Sequence, residues 1–272
     1  MPRYVIHVGP FKTGSSYMQF GFKRYRDQLA RHGIYCDTAL SGGPLWNRDI
    51  PKTNAEHGTD LAASEADRHE VILISNERLS SSNALRNIHG IVGDNPVDVV
   101  FYIRRWSELI PSAWQENVRS GYAVTLPEYI LQFLQEPRKA RLTYSEATIE
   151  HCASIFGMKN IKLVSYSNIV DEGADILHHF CVTFLNWEPP NIELRRINAS
   201  MAPDDAEAIR LVNSLSLQRT GKRDRALVVR YLRLLRTRPD FAAALKSHMT
   251  GSFANPSLAL FPPYTVTTTE NP

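Results

Sequence analysis

The residues best suited to chemistry in this chain fall in one turn: Gly9, Lys12, Thr13, Gly14, Ser15 and Ser16, in "GPFKTGSS". The turn follows the apolar run "YVIHV" and precedes "SSYMQFGFKRYRDQLARHG", whose apolar and polar residues recur at helical spacing up to Gly33. A glycine-rich turn between a strand and a helix gathers unpaired backbone N–H groups at the positive end of the helix dipole, and so makes an anion site. A nucleotide-hydrolysing loop of the pattern G-x-x-x-x-G-K-[ST] carries its lysine after the second glycine. Here Lys12 precedes Gly14, so the order is wrong for an ATPase or GTPase, while a phosphate cradle of similar geometry is retained.

Proton transfer beside such a cradle has two candidate bases. Glu77 lies just past the run "VILIS" and should emerge at the carboxyl edge of a parallel strand, where open α/β sheets bind ligands. His57, in "NAEHGTDLA", follows a long loop and could overhang an acceptor. A carboxylate needs partial burial to act as a base near neutral pH, whereas histidine starts near the right pKa. The strand-end geometry favours Glu77, and the alternative roles are a helix cap for Glu77 and an ordinary loop position for His57. His7, inside the first strand, reads as a buried structural histidine. His178 and His179 are adjacent on a predicted helix, so they face different ways and do not form a metal pair.

The elements that must position these groups alternate between strand and helix. Besides the first strand, "IYC" at 34–36, "EVILISNERLS" at 70–80, "VDVVFYIRR" at 97–105 and "IKLVSYS" at 161–167 read as strands, the longer ones continuous apolar runs of the kind buried parallel strands show. Helical patterns separate them: "SSNALRNIHGIV", "WSELIPSAWQENVRSG" with Pro111 placed in a first turn, "LPEYILQFLQ", "TYSEATIEHCASIFG" and "ADILHHFCVTFLN". The pattern predicts an α/β fold, a doubly wound and mainly parallel sheet with a P-loop-like phosphate-binding loop. Residues 37–56 read as a long binding loop or lid, and the chain beyond 200 as a C-terminal helical extension over about 201–260. The expected organisation is one domain over 1–272, with its core at about 3–200.

"HVGPFKTGSS" followed by a helix resembles the 5′-phosphosulfate loop of sulfotransferases that use 3′-phosphoadenosine 5′-phosphosulfate (PAPS), commonly K-T-G-[ST]-[ST]. A second fingerprint of that family is an arginine at the end of a later strand with a serine eight positions on, and Arg104 and Ser112 in "VVFYIRRWSELIPSAW" have that spacing. The resemblance is to a bacterial-type enzyme and covers roughly residues 3–200. It implies that Lys12 sits beside the bridging oxygen and sulfonate, and that Gly9, Thr13, Gly14, Ser15 and Ser16 hold the 5′-phosphate. Arg104 and Ser112 would bind the 3′-phosphate, although Arg105 could exchange roles with Arg104. It further implies metal-independent sulfuryl transfer to an acceptor hydroxyl, on a carbohydrate, glycolipid or small metabolite, with adenosine 3′,5′-bisphosphate as product. Glutamate serves as the base in some members and histidine in others, so Glu77 and His57 both stand. "RRINASM" at 195–201 lies where relatives place a further basic loop, which makes Arg195, Arg196 and Asn198 weaker candidates. Trp106, Trp114 and Tyr122 are core packing or aromatic platforms for adenine or a sugar.

Each assignment has a plainer counterpart. Lys12 could be a surface lysine of an ordinary turn, Arg104 a strand-end arginine paired with a carboxylate, and "RTGKRDR" at 219–225 a solvated helix start. A P-loop-type small-molecule kinase and a non-catalytic nucleotide-binding protein of the same fold are the alternatives to transfer. With 43% hydrophobic and 22% charged residues the chain is neither fibrous nor wholly disordered. A net charge of +3 with scattered Lys and Arg does not make the clustered basic face that nucleic acid needs. Three widely spaced cysteines, without a C-x-x-C pair, fit a reducing compartment and no metal site. No signal-peptide pattern and no membrane-length apolar run is present, so a cytoplasmic location is expected.

Overall fold

The computed structural model describes residues 1–36, 65, 67–76, 79, 82–136, 145–190, 201–238 and 240. The chain divides into two compact units, Met1–Ile110 with Glu136–Ala199, and Pro111–Gln135 with Ser200–Pro272.

The first unit is a five-stranded sheet in the order β2-β3-β1-β4-β5, formed by β1 (Arg3–Gly9), β2 (Ile34–Cys36), β3 (Val71–Ser75), β4 (Val97–Ile103) and β5 (Ile161–Ser165). Every pairing is parallel, with His7 opposite Ser75 in β3 and opposite Val100 in β4. Parallel strands cannot be joined by hairpins, so helices cross between them and cover the sheet. The covering helices are α1 (Ser15–Arg24), α2 (Arg26–Arg31), α3 (Ser82–Val92), α6 (Ser145–Phe156), α7 (Tyr166–Asp171) and α8 (Ile176–Leu185). Alternation along the strands sorts the core into two layers. Val5, Leu73, Val100 and Tyr102 pack with Met18, Phe22, Leu177 and Phe180 on one face. Tyr4, Ile6, Ile72, Ile74, Val99 and Phe101 pack with Leu85, Ile88, Cys152 and Phe156 on the other. This is the doubly wound arrangement expected from the sequence.

Two local expectations need correction. The predicted first helix breaks into α1 and α2 at Tyr25, whose φ of −99° and ψ of 13° lie outside the helical range. Tyr25 is only 3% exposed and meets Trp187 edge-on at 5.7 Å, so packing overrides the continuous helical pattern. Pro111 is not in a first turn either: α4 runs from Trp106 to Arg119, which puts the proline in its second turn. There its missing N–H leaves the carbonyl four residues back without a helical donor, and the division between the units falls at the Ile110–Pro111 bond.

The second unit contains α5 (Leu126–Gln135), α9 (Pro203–Thr220) and α10 (Arg225–Thr237) together with the C-terminal half of α4. Its core gathers Trp114, Val118, Ala206, Ile209, Val228 and Tyr231. The three cysteines are free and buried. Burial pushes the Cys152 thiol up to about 12 and raises that of Cys181, so neither is a ready nucleophile. No described helix is long and apolar enough to cross a membrane.

Candidate active site

β1 occupies the middle of the sheet, and its carboxyl end delivers the chain into the turn at 10–14. Two turn residues adopt left-handed backbone, Lys12 at φ 69° and Gly14 at φ 79°, and the Gly9–Pro10 peptide is cis. A lysine at positive φ is strained, and such strain concentrates where a loop must present its groups to a ligand. Gly14 is the N-cap of α1, makes no side-chain cap, and no acidic residue occupies the first turn. The positive end of the helix is therefore left uncompensated by the chain's own acidic side chains, and while the Tyr17 amide bonds the Gly14 carbonyl at 2.9 Å, the Ser15 and Ser16 amides ahead of it have no intrahelical acceptor. Glycine is required at 14 for a second reason: a Cβ there would lie 2.1 Å from Ile176 Cδ1. Its absence lets α8 close down against the loop, as Gly21 lets Leu177 approach α1, where a Cβ would meet Leu177 Cδ2 at 2.2 Å.

The hydroxyls of the turn divide their work. Thr13, fully buried, donates to the Pro10 carbonyl at 2.7 Å, and Ser15 makes a longer bond to the same oxygen at 3.3 Å. Both hydroxyl protons thus hold the turn in shape, and of the turn's hydroxyls only that of the exposed Ser16 is not turned inward to Pro10.

Arg104 emerges one residue beyond β4, the neighbour of β1, and reaches across the carboxyl edge. Its Nη1 donates to the Lys12 carbonyl at 3.0 Å, and its Nε donates to Glu108 Oε2 at 3.1 Å. Its guanidinium carbon lies 5.3 Å from the Tyr166 ring centroid. Glu108 also accepts from Ser167 Oγ at 3.0 Å and from Arg105 Nη1 at 3.3 Å, while Ser167 Oγ accepts from the Arg105 amide at 3.1 Å. Arg105 turns outward to Asp171 and its side chain is 49% exposed, against 18% for Arg104. The two neighbouring arginines are thereby told apart: Arg104 braces the loop, and Arg105 ties β4 to α7. Arg104 Nη2 makes no hydrogen bond with any described residue.

Beneath the turn, His7 is fully buried and its Nδ1 shares a 2.8 Å hydrogen bond with Ser75 Oγ. Its ring meets Tyr102 and Phe180 edge-on at 5.9 and 5.7 Å, and Nε2 finds no partner among the described residues. Burial lowers its pKa to about 4, so it is a neutral structural histidine, as the sequence indicated. The Asn76 amide donates to the His7 carbonyl at 3.0 Å, fixing the chain as it leaves β3. His178 pairs with Glu188 at 2.6 Å and His179 with the Tyr102 hydroxyl at 2.9 Å, so these two do face apart. Among the described residues no cluster of His, Cys, Asp and Glu could hold a metal ion.

Lys12 and Arg104 are thus brought together. Glu77, His57, Arg195, Arg196 and Asn198 lie outside the described residues. Ser112 lies on α4 beyond the division, in the second unit. Trp114 and Tyr122 belong to that unit too, where they help line a cavity of about 70 Å³ and the Trp114 indole donates to the Val124 carbonyl at 2.8 Å. Three contributors escaped the reading of the sequence. Glu108 had a signal, since it stands four residues after Arg104 with opposite charge. Tyr166 and Ser167 had none, because only the parallel pairing of β5 with β4 brings the start of α7 beside Arg104.

No protein-family model matches the chain, and no curated protein matches it. Among solved structures, the fold is similar to the crystal structure of a sulfotransferase from Alicyclobacillus acidocaldarius. That likeness has a TM-score of 0.42 at 18% identity, covering 82% of this chain and 97% of the other. At this distance the chemistry rests on the chain's own side chains.

Proposed function

We propose that the protein is a sulfotransferase that moves the sulfuryl group of PAPS to a hydroxyl of a carbohydrate, glycolipid or small metabolite. The observation that carries this reading is the β1–α1 turn, whose uncompensated helix terminus is locked to the adjacent strand end by the 3.0 Å bond from Arg104 to the Lys12 carbonyl. An anion held there would meet first-turn amides and the Lys12 ammonium from one side. Lysine ahead of the second glycine, and not after it, separates this loop from those of ATPases and kinases.

In the reaction, the acceptor oxygen forms a bond to sulfur while the bond from sulfur to the bridging oxygen breaks. The electron pair leaves with the 5′-phosphate of adenosine 3′,5′-bisphosphate, where Lys12 and the amides of residues 13–16 offset the growing charge. The acceptor proton passes to Glu77, with His57 as the competing base. Arg104, with Nη2 turned to no described residue, offers a donor to the nucleotide 3′-phosphate. Lysine, arginine and the helix terminus together supply the positive charge that a metal supplies in phosphoryl transfer, so the step is proposed to be metal-independent.

Calorimetric titration with adenosine 3′,5′-bisphosphate in the absence of Mg²⁺ tests the proposal. Micromolar binding is expected, weakened about tenfold to a hundredfold in Lys12→Ala and Arg104→Ala, the scale of losing one charge-assisted contact. A folded wild type that ignores this ligand and binds ATP with Mg²⁺ would establish a kinase instead.

A further inference from the structure

The proposed chemistry leaves the basic chain of the second unit without a role. Residues 219–238 hold eight Lys and Arg against a single Asp, in a chain whose net charge is only +3. The excess is therefore local, and the remainder of the chain is net acidic. Asp224 is already committed as the N-cap of α10, accepting from the Leu227 amide at 3.0 Å.

α10 presents two unlike faces. Val228 and Tyr231 are buried in the core of the unit. The opposite face carries Val229, Arg230, Arg233 and Leu234, which helical spacing places side by side. Val229 is 59% exposed and Leu234 45% exposed, and they flank the two exposed arginines. Neither Arg230 nor Arg233 pairs with a carboxylate among the described residues, in contrast to Arg3, Arg104, Arg105 and Arg210, each of which has one. At the N-terminal end of the helix Lys222 is exposed and the Arg223 guanidinium lies 3.7 Å above the Tyr122 ring centroid.

We infer that this face of α10 docks on an anionic lipid bilayer. The charge calls for a polyanionic partner, and arginine's planar fork suits phosphate oxygens in particular. Nucleic acid or an acidic polysaccharide would satisfy the arginines and leave Val229 and Leu234 in water. A bilayer interface takes both, with headgroup phosphates meeting the guanidinium groups and the aliphatic side chains reaching the acyl boundary. Two aliphatic residues and a handful of charges give reversible, salt-sensitive attachment, which needs neither nucleotide nor acceptor and so stands or falls apart from the sulfotransferase reading.

Co-sedimentation of the full chain with vesicles of phosphatidylglycerol and phosphatidylcholine, compared with phosphatidylcholine alone, tests it. Binding to the anionic vesicles only is expected. Arg230→Gln/Arg233→Gln should lower the partition coefficient about thirtyfold, and Val229→Ser/Leu234→Ser about tenfold. Wild-type binding measured against rising salt gives the same test without a substitution, should either variant melt early. Absence of sedimentation, or equal sedimentation with both vesicle types, overturns the inference. So does an unchanged serine variant whose glutamine counterpart loses heparin or DNA retention, which would make the face a site for a soluble polyanion.

Discussion

Arg104 gives Nη1 to the Lys12 carbonyl and Nε to Glu108 behind a side chain only 18% exposed. Arg230 and Arg233, in the other unit, stand in solvent with no carboxylate partner among the described residues. The difference teaches what each charge is available for. A guanidinium bonded on two edges has a fixed direction and little reach, so it positions a loop and presents what remains of its fork to one place. A guanidinium without a partner keeps its long-range field and its freedom, which suits a surface met by diffusion. Substitutions in the first unit should therefore cost stability and ligand affinity together, whereas those on α10 should leave folding untouched.

The largest expected effect comes from His7, a fully buried histidine of the first unit. Its folded-state pKa of about 4 lies below the ordinary value of 6.5, so the unfolded chain takes up a proton that the native state refuses. The stability this histidine contributes is fully present above pH 6.5 and is lost as pH falls toward about 4. The loss amounts to roughly 2 kcal/mol by pH 5 and roughly 3 kcal/mol when complete. Urea unfolding of wild type and His7→Asn at pH 7 and pH 5 isolates it. Equal slopes for the two proteins would mean that the ring is hydrated in solution and would remove the burial on which the comparison rests.

Gly14→Ala ranks next. Alanine at φ 79° costs about 1–2 kcal/mol, and pushing Ile176 Cδ1 off its rotamer about 1 kcal/mol more. A loss of about 2–3 kcal/mol in chemical denaturation is expected, with binding of adenosine 3′,5′-bisphosphate weakened at the same time. Adding Ile176→Val, which removes the opposing methyl, should restore the steric share and leave the backbone share. A double variant no better than Gly14→Ala would show that the close approach of α8 does not constrain the turn.

Legibility in the sequence followed the range of the interactions. The strands were readable because continuous apolar runs such as "VILIS" can be buried on both faces only in a covered parallel sheet. The turn was readable because Gly14 and its flanking hydroxyls are sequence neighbours. The share of work inside it was not: Thr13 and Ser15 turn their hydroxyls onto Pro10, a contact that depends on the backbone path and not on residue type. Spacing could not foresee which of Arg104 and Arg105 turns toward the loop and which turns outward, because that depends on Glu108, Ser167 and Asp171, two of which lie some sixty residues away. The break at Tyr25 escaped for a similar reason, since the burial of its ring against Trp187 outweighs local helical preference.

Glu108→Gln sharpens the comparison with a smaller effect. The amide keeps the shape and one acceptor but removes the charge shared by Arg104, Arg105 and Ser167. With the carboxylate 32% exposed, solvent screening limits the stability change to about 1 kcal/mol. Ligand affinity should fall severalfold, because Arg104 Nε then competes with Arg105 and Ser167 for one neutral acceptor and is held less firmly. A titration showing unchanged affinity alongside lowered stability would make Glu108 a tie between β4 and α7 and nothing more.

The smallest effect belongs to the other side of the comparison. Arg230→Ala and Arg233→Ala remove charges that no described carboxylate compensates, from positions that face solvent. Each should change unfolding free energy by less than about 0.5 kcal/mol, and the sign should be favourable where relief of arginine–arginine repulsion outweighs the lost aliphatic stems. Because that repulsion is screened within about 10 Å at ordinary ionic strength, the gain should be visible at low salt and fade as salt is raised. Denaturation of both variants at two ionic strengths decides the matter. A loss above about 1 kcal/mol at either would mean that these arginines hold the second unit together, and the division between a bonded arginine that positions and an unpaired one that attracts would no longer separate the two units.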